Sequence, residues 1–284
     1  MVPAFRLQYI SGLFAPGWRS VAAAVRPLPG VNAIALLGNC GSAKNSVASA
    51  ATEELLRYCS DSWPRVFWIP GPSEHAGPGT FYDSLERCRD IAAVASKPGG
   101  QIQVLNQTEI YDCDRDIVFL GTTGWTPMAD VSEKGGIDSC SDVNTWCTEK
   151  NALRPVRAGD IRNWHRDDML WLQGKTNWWS MHKPAVRIVV LTHHLCSPLL
   201  LGSGKNEELM RRFPSECIPM ESSHPVLSSG GLTAWLCGAG NRCVSGNVSS
   251  LRDSFVYGAV NPLSSPAAQE ALTPAFDIPM HKYG

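Results

Sequence analysis

Residues 32–41 read Asn-Ala-Ile-Ala-Leu-Leu-Gly-Asn-Cys-Gly (NAIALLGNCG). A short unbroken apolar run that stops at a glycine is the pattern of a strand buried on both faces. Downstream, Val47, Ala51, Leu55 and Tyr58 recur at the spacing of a helix face. Arg65–Ile69 (RVFWI) is a second apolar run, stopped by Pro70-Gly71. Phe81, Leu85, Cys88 and Ala92 then mark another amphipathic helix, and Phe5–Ile10 supplies a strand upstream. Strand and helix in alternation predict α/β layers with parallel strands.

Further along, Ile102–Leu105, Glu109–Tyr111 and Ile117–Leu120 read as short strands with polar turns between them. Residues 127–158 have no clear period and are rich in Gly, Ser and Asp, so they are expected as an irregular excursion over the surface. Ile161, Trp164, Trp171 and Leu172 form a helical stripe. Val186–Leu191 (VRIVVL), Leu232–Cys237 (LTAWLC) and Ser254–Tyr257 close the core pattern. One domain over residues 1–260 is expected. The Pro- and Ser-containing tail, residues 261–284, is expected to pack on its surface.

Composition narrows the function classes. Lys and Arg total 25 and Asp and Glu 26 among 284 residues, a net charge of −1. That balance provides no long-range attraction for nucleic acid or an anionic membrane. Hydrophobic residues make up 44% and charged residues 18%, below the roughly 25% charge of an average soluble domain. A surface poor in charge suggests that a protein partner covers part of it. The 10 cysteines are scattered through apolar segments without a C-x-x-C pair, and most are expected as reduced, buried thiols. No run approaches the length of a membrane span. The opening MVPAFRLQYISGLF lacks the basic start and apolar run of a signal peptide. An intracellular protein, cytoplasmic or virion-associated, is therefore expected.

Functional groups in α/β folds gather beyond strand C-termini. Here those places read Ser11-Gly12-Leu13-Phe14, Gly38-Asn39-Cys40-Gly41, Gly71-Pro72-Ser73-Glu74-His75, Thr192-His193-His194 and Gly238-Ala239-Gly240-Asn241. The ordered blocks LQYIS, IALLGN, VFWIPG, GTTGWTP, VVLTHH and AWLCG resemble the calcineurin-like metallophosphoesterases. The resemblance is strongest to the compact single-domain members of microbes and large DNA viruses, and it runs from about residue 6 to 260. It implies a four-layer sandwich: two facing mixed β-sheets flanked by helices.

The resemblance also implies a ligand set. Family members hold two metal ions with Asp-x-His, Gly-Asp, Gly-Asn-His-Glu/Asp, a His after the fourth strand and Gly-His-x-His. The metals activate a water and clamp the phosphoryl oxygens. In this chain Gly12 and Phe14 stand where the first Asp and His would be, and Asn39 stands for the second Asp. Pro72 and Ser73 replace the Asn-His pair, and Ala239 and Asn241 replace the last two histidines. Glu74 keeps its type, and His193 is the one retained metal ligand. Paired divalent cations need anionic oxygens to offset their repulsion, so the two-metal site is expected to be lost.

Other roles for these residues stay open at this stage. Glu74 is expected as a loop anchor accepting backbone N–H groups, and His193 as a hydrogen-bonded core histidine. His193 with His194, or His193 with Cys40, Cys196 and Cys237, could instead keep a single divalent metal, Zn or Mn; Cys243 also flanks the last motif. His75, two positions past the aligned site, is a weaker acid or base candidate. Trp178 and Trp179 are adjacent, so at least one is expected to be exposed and available to anchor a contact. Gly202-Ser203-Gly204-Lys205 falls short of a phosphate loop and reads as a turn.

The expected function is an inactive phosphoesterase-fold protein serving as a structural or interaction subunit of a virion or other large assembly, with no cofactor. The alternatives are a residual metal-dependent hydrolase of phosphodiesters or phosphomonoesters, and a sensor that binds nucleotide or phosphate without cleaving it.

Overall fold

A computed structural model describes residues 5–13, 25–43, 45–98, 101–125, 146–149, 152–194, 232–238, 247–251, 254–258 and 275–278. The first half alternates as expected. Strands β1 (Phe5–Ile10), β2 (Ala33–Leu37), β3 (Val66–Ile69) and β4 (Ile102–Val104) run parallel in the order β1-β2-β3-β4. Helix α1 (Ser46–Ser62) lies between β2 and β3 in the chain; the one-turn helix α2 (Pro72–His75) and α3 (Phe81–Ala95) lie between β3 and β4. Helices α1 and α3 start where the sequence offers a cap. Asn45 accepts the Ala48 N–H at 2.9 Å, and Thr80 forms a reciprocal capping box with Asp83.

The second sheet uses β5 (Thr108–Asp112), β6 (Ile117–Thr122), β9 (Arg187–Thr192), β10 (Leu232–Cys237), β11 (Asn247–Leu251) and β12 (Ser254–Gly258). Its order is β11-β12-β10-β9-β6-β5, with β12, β10, β9 and β6 parallel and β5 and β11 antiparallel at the edges. The long helix α4 (Ala158–His182) precedes β9 and packs along β5 and β6.

Side-chain alternation builds the layers. Phe5, Leu7 and Tyr9 of β1, Ala33, Ala35 and Leu37 of β2, and Phe67 and Ile69 of β3 point to one side. There they meet Ile117, Phe119, Val189, Leu191, Ala234 and Leu236 from the second sheet. The intervening residues Ile34, Leu36, Val66 and Trp68 point the other way, against Leu55, Leu56, Cys59, Cys88 and Ala92 of the helices. Strands packed on both faces must be apolar throughout, which is why β2 carries no polar residue. Two mixed sheets face each other and helices flank them, the four-layer fold expected from the sequence.

Three details differ from the sequence reading. Val47 is 78% exposed; the buried face of α1 is Thr52, Leu55, Leu56, Cys59 and Ser60. A count of apolar residues misses this rotation because Thr52 is polar; its hydroxyl bonds Ser42 on both N–H and C=O, which removes the cost of burial. Within 127–158, strands β7 (Trp146–Glu149) and β8 (Ala152–Pro155) form an antiparallel ladder, and α4 begins at Ala158. The tail adds a strand as well as any surface packing: β13 (Ala275–Ile278) pairs antiparallel with β1 at the sheet edge. Among the described cysteines, Cys40, Cys59, Cys88 and Cys237 are buried free thiols as expected, whereas Cys113 is exposed and Cys147 intermediate.

Candidate functional site

The ends of β1, β2, β3 and β9 converge through their backbones. Gly12, Gly38 and Asn39 take left-handed φ values of 68°, 77° and 52°. The Gly12 N–H donates to the Gly38 carbonyl at 3.0 Å, so the first two strand ends are joined directly. At Gly38 a Cβ would stand 2.4 Å from Nδ1 of His193, and at Gly71 it would stand 2.9 Å from the Asn39 nitrogen and 3.0 Å from the His193 ring. Glycine is needed at these turns so that the His193 imidazole can wedge between them.

Glu74 organises the second and third strand ends. It is fully buried. One carboxylate oxygen accepts the N–H groups of Asn39 and Gly71, each at 2.9 Å, and the Ser73 hydroxyl lies 3.1 Å from it. The other accepts from Cys40 at 2.8 Å and Gly41 at 2.9 Å. Burial raises its pKa, against the pull of these backbone donors. The Asn39 side chain closes the arrangement by accepting the Ser73 N–H at 2.9 Å. Pro72 sits in the first turn of α2, where a helix has no use for the missing donor. Glu74 thus occupies its side chain in holding two loops together.

His193 is 3% exposed and donates Nδ1–H to the Leu37 carbonyl at 2.8 Å. Its backbone N–H and that of His194 reach the Thr123 carbonyl at 3.1 and 3.3 Å. Burial holds the His193 imidazole at a pKa of about 4, so it is neutral at physiological pH. The His194 ring stands edge-on to it at 4.7 Å. Cys40 lies beside Glu74, and burial followed by the Glu74 charge raises its thiol well above the ordinary range. Cys237 ends β10, also buried. Phe14, Cys196, Ala239, Asn241, Cys243 and residues 202–205 lie outside the described residues.

These side chains do not fit the two-metal arrangement that the family resemblance implies. Among the described residues, no three of His, Cys, Asp or Glu stand close enough to share a cation. The cleft carboxylate, Glu74, faces N–H groups with both oxygens. His193 spends Nδ1–H on the Leu37 carbonyl, which leaves one ring nitrogen, Nε2, and so at most one neutral ligand atom from this residue.

Two residues beside the cleft carry more of the structure than their sequence signals suggest. His75 is fully buried, packed against Phe81 at 4.4 Å and Trp125 at 5.7 Å. Its Nδ1 lies 2.8 Å from Ser84 Oγ, whose own hydroxyl donates to the Phe81 carbonyl at 2.6 Å. The serine proton is therefore committed, so Nδ1 carries the imidazole proton and Nε2 is an acceptor. That Nε2 and Nε1 of Trp125 are buried without a partner among the described residues. Burial, then the charges of His193 and Arg87, hold the His75 pKa at about 3.

Asp168 on α4 escaped the sequence reading altogether. It is 3% exposed and accepts from Thr122 Oγ1 at 2.7 Å, Gln107 Nε2 at 2.9 Å, the Gly124 N–H at 2.9 Å and the Trp125 N–H at 3.4 Å. Burial raises its pKa despite those donors. The available signal was a carboxylate on the buried stripe of α4, seven residues after Ile161 and four before Leu172. Trp178 and Trp179 divide as expected: Trp178 is 48% exposed, while Trp179 is buried and donates Nε1–H to Glu109 at 3.0 Å.

No protein-family model matches the chain, and no curated protein matches its sequence. Among solved structures it is similar to phosphopantetheinyl hydrolase (PptH) from Mycobacterium tuberculosis, with a TM-score of 0.61 and 14% identity over 99% of this chain and 98% of that one. A second solved structure matches with a TM-score of 0.53 and 11% identity over 92% and 91% of the two chains. At such identities the likeness shows the fold alone, a metallophosphoesterase-like sandwich of two mixed sheets flanked by helices.

Proposed function

We propose that this chain is a non-catalytic form of the metallophosphoesterase-like fold, kept as a structural or interaction subunit of a larger assembly. The observation that carries the reading is the Glu74 clamp. Where a two-metal hydrolase needs carboxylates turned toward cations, this cleft has Gly12, Asn39, Pro72 and Ser73, and its Glu74 is turned onto backbone N–H groups. A neutral Asn39 and a neutral His193 offer nothing to offset two divalent charges.

The interaction half of the proposal draws on α4. Leu170, Trp178 and Met181 are 59%, 48% and 76% exposed and fall at i, i+8 and i+11, on one side of that helix. An exposed tryptophan on the same helix side as an exposed leucine and methionine has the composition of a contact anchor. The low charge of the chain, 18%, agrees with a surface that is partly covered.

The test is turnover of bis(p-nitrophenyl) phosphate and p-nitrophenyl phosphate by the purified chain with added Mn²⁺ or Zn²⁺. Rates equal to those of metal-containing buffer are expected. A metal-dependent rate that His193→Ala abolishes would overturn the proposal and restore the hydrolase reading.

A further inference from the structure

The first sheet ends differently at its two edges. At one, β13 pairs antiparallel with β1; at the other, β4 is the last strand, and no strand pairs with its outer side among the described residues. The Gln101 carbonyl accepts the Val66 N–H at 2.9 Å and the Leu105 N–H donates to the Trp68 carbonyl at 2.8 Å, so these two residues turn their backbone groups toward β3. By the alternation of a parallel ladder, Ile102 and Val104 turn theirs outward. Ser96 Oγ takes the Ile102 N–H at 3.3 Å, which leaves the Val104 N–H and the Ile102 and Val104 carbonyls without a partner among the described residues. Such an edge is a template for another strand.

A groove of about 450 Å³ runs beside this edge, between α3 and β4. Its apolar lining is Ala92 and Ala93 of α3 with Ile102 and Val104 of β4. Ile102 and Val104 pack on the helix side of the sheet, so side chains of an added strand that face the same way fall into the groove. The charged residues lining it are both cations, Arg89 and Lys97. Each is half-exposed and meets an acid outside the groove, Arg89 with Glu86 and Lys97 with Asp61 at 3.1 Å. Exposed pairs of this kind hold weakly, so an incoming carboxylate can replace them. Charge also chooses among occupants. A second copy pairing its own β4 here about a two-fold axis would set Arg89 and Lys97 of both copies across one groove, like charge against like. An acidic segment meets the same cations favourably.

We propose that the β4 edge and its groove receive an extended, acidic segment of a partner protein, which joins the first sheet as an added strand. The Val104 N–H and the Ile102 and Val104 carbonyls bond its backbone, apolar side chains at alternate positions enter the groove, and its carboxylates lie against Arg89 and Lys97. This surface belongs to the first sheet and α3, whereas α4 flanks the second sheet. It serves whether or not the cleft hydrolyses phosphate, so it does not depend on the reading above.

The test uses the full chain and fluorescein-labelled peptides of sequence EVTVTVE, KVTVTVK and the proline-interrupted EVTPTVE, read by fluorescence anisotropy at low ionic strength. EVTVTVE should bind saturably. KVTVTVK, with the wrong charge, and EVTPTVE, which cannot complete a strand ladder, should each bind at least about tenfold more weakly. The double variant Arg89→Glu/Lys97→Glu changes two half-exposed side chains, should fold, and should reverse the order of the acidic and basic peptides. Val104→Pro removes the outward N–H while keeping the Gln101 and Leu105 bonds to β3, and should weaken EVTVTVE at least about tenfold. No saturable binding of EVTVTVE, equal binding of the three peptides, or an unchanged order in the double variant would overturn the proposal. So would a dimer of the parent chain, seen by sedimentation, that Val104→Pro dissolves, since it assigns the edge to a second copy. If Val104→Pro fails to fold, the peptide series and the double variant still decide.

Discussion

Nδ1 of His193 lies 2.8 Å from the carbonyl oxygen of Leu37, and this one hydrogen bond joins the end of β9 in one sheet to the end of β2 in the other. The pair is 156 residues apart in the chain. Around it, Gly38 and Gly71 leave room for the ring, Thr123 holds the backbone of His193, and Glu74 locks the loops on the far side. The strand ends that serve as a ligand frame in a two-metal hydrolase are knit here by hydrogen bonds within the protein.

Removing the space beside His193 should loosen that junction. Gly38→Ala places a Cβ 2.4 Å from the imidazole at a φ of 77°. The clash and the left-handed backbone together should cost about 2–4 kcal/mol. Urea denaturation checks this: the midpoint should fall with the m-value unchanged. Gly30→Ala is the control, since its φ of 74° is similar but a Cβ there meets nothing within 4 Å; it should lose about 1–2 kcal/mol.

Glu74 and Asp168, two of the buried carboxylates among the described residues, should be far more sensitive than surface acids. Glu74→Gln turns an amide NH₂ toward N–H donors, and Asp168→Ala strands Thr122, Gln107 and Gly124. Each should destabilise the chain by about 3–5 kcal/mol, again read from urea midpoints. A neutral outcome for Glu74→Gln would show that the clamp does not form.

Acid should destabilise the protein through its buried imidazoles. In the folded state His75 and His193 have pKa values of about 3 and about 4, against 6.5 as the ordinary value. Below pH 6.5 the unfolded chain therefore binds more protons, and stability falls as pH falls until each folded pKa is reached. Each histidine contributes a slope of roughly 1.4 kcal/mol per pH unit. Glu74 and Asp168, with raised pKa values, oppose this: they gain stability as pH falls from their folded pKa toward the unfolded one. The histidine part is isolated by comparison. His75→Phe should flatten the fall in stability between pH 6.5 and 5 by about 1.4 kcal/mol per pH unit relative to the parent.

Adjacent tryptophans should behave in opposite ways. Trp179 is buried, stacks near Tyr111 at 4.9 Å and bonds Glu109, so Trp179→Ala should cost about 3–5 kcal/mol. Trp178 is 48% exposed and rests on His182 at 4.6 Å, so Trp178→Ala should stay within about 1 kcal/mol of the parent. Paired thermal and urea unfolding of the two variants checks both. A large loss for Trp178→Ala would mean that its role is internal packing and would remove the contact anchor proposed on α4.

The alternation of Phe5, Leu7 and Tyr9, the unbroken Ala33–Leu37 run and the helical spacing of Phe81, Leu85, Cys88 and Ala92 were legible from residue order. So were the neutral types Gly12, Asn39, Pro72 and Ser73 at the strand ends. Such signals are local, because the two faces of a strand or helix repeat within a few residues. Other features left no local trace. Thr52 on the core side of α1 depends on the loop ten residues before it, and the pairing of Ala275–Ile278 with β1 and the attachment of Asp168 to Gly124 join distant segments. Chain periodicity settles which side chains leave water. A buried carboxylate or imidazole is satisfied only by specific donors and acceptors, and for Glu74, Asp168 and His193 these arrive from segments 33 to 156 residues away as well as from near neighbours. That choice of partner, which turns Glu74 inward, belongs to the packing of the whole molecule.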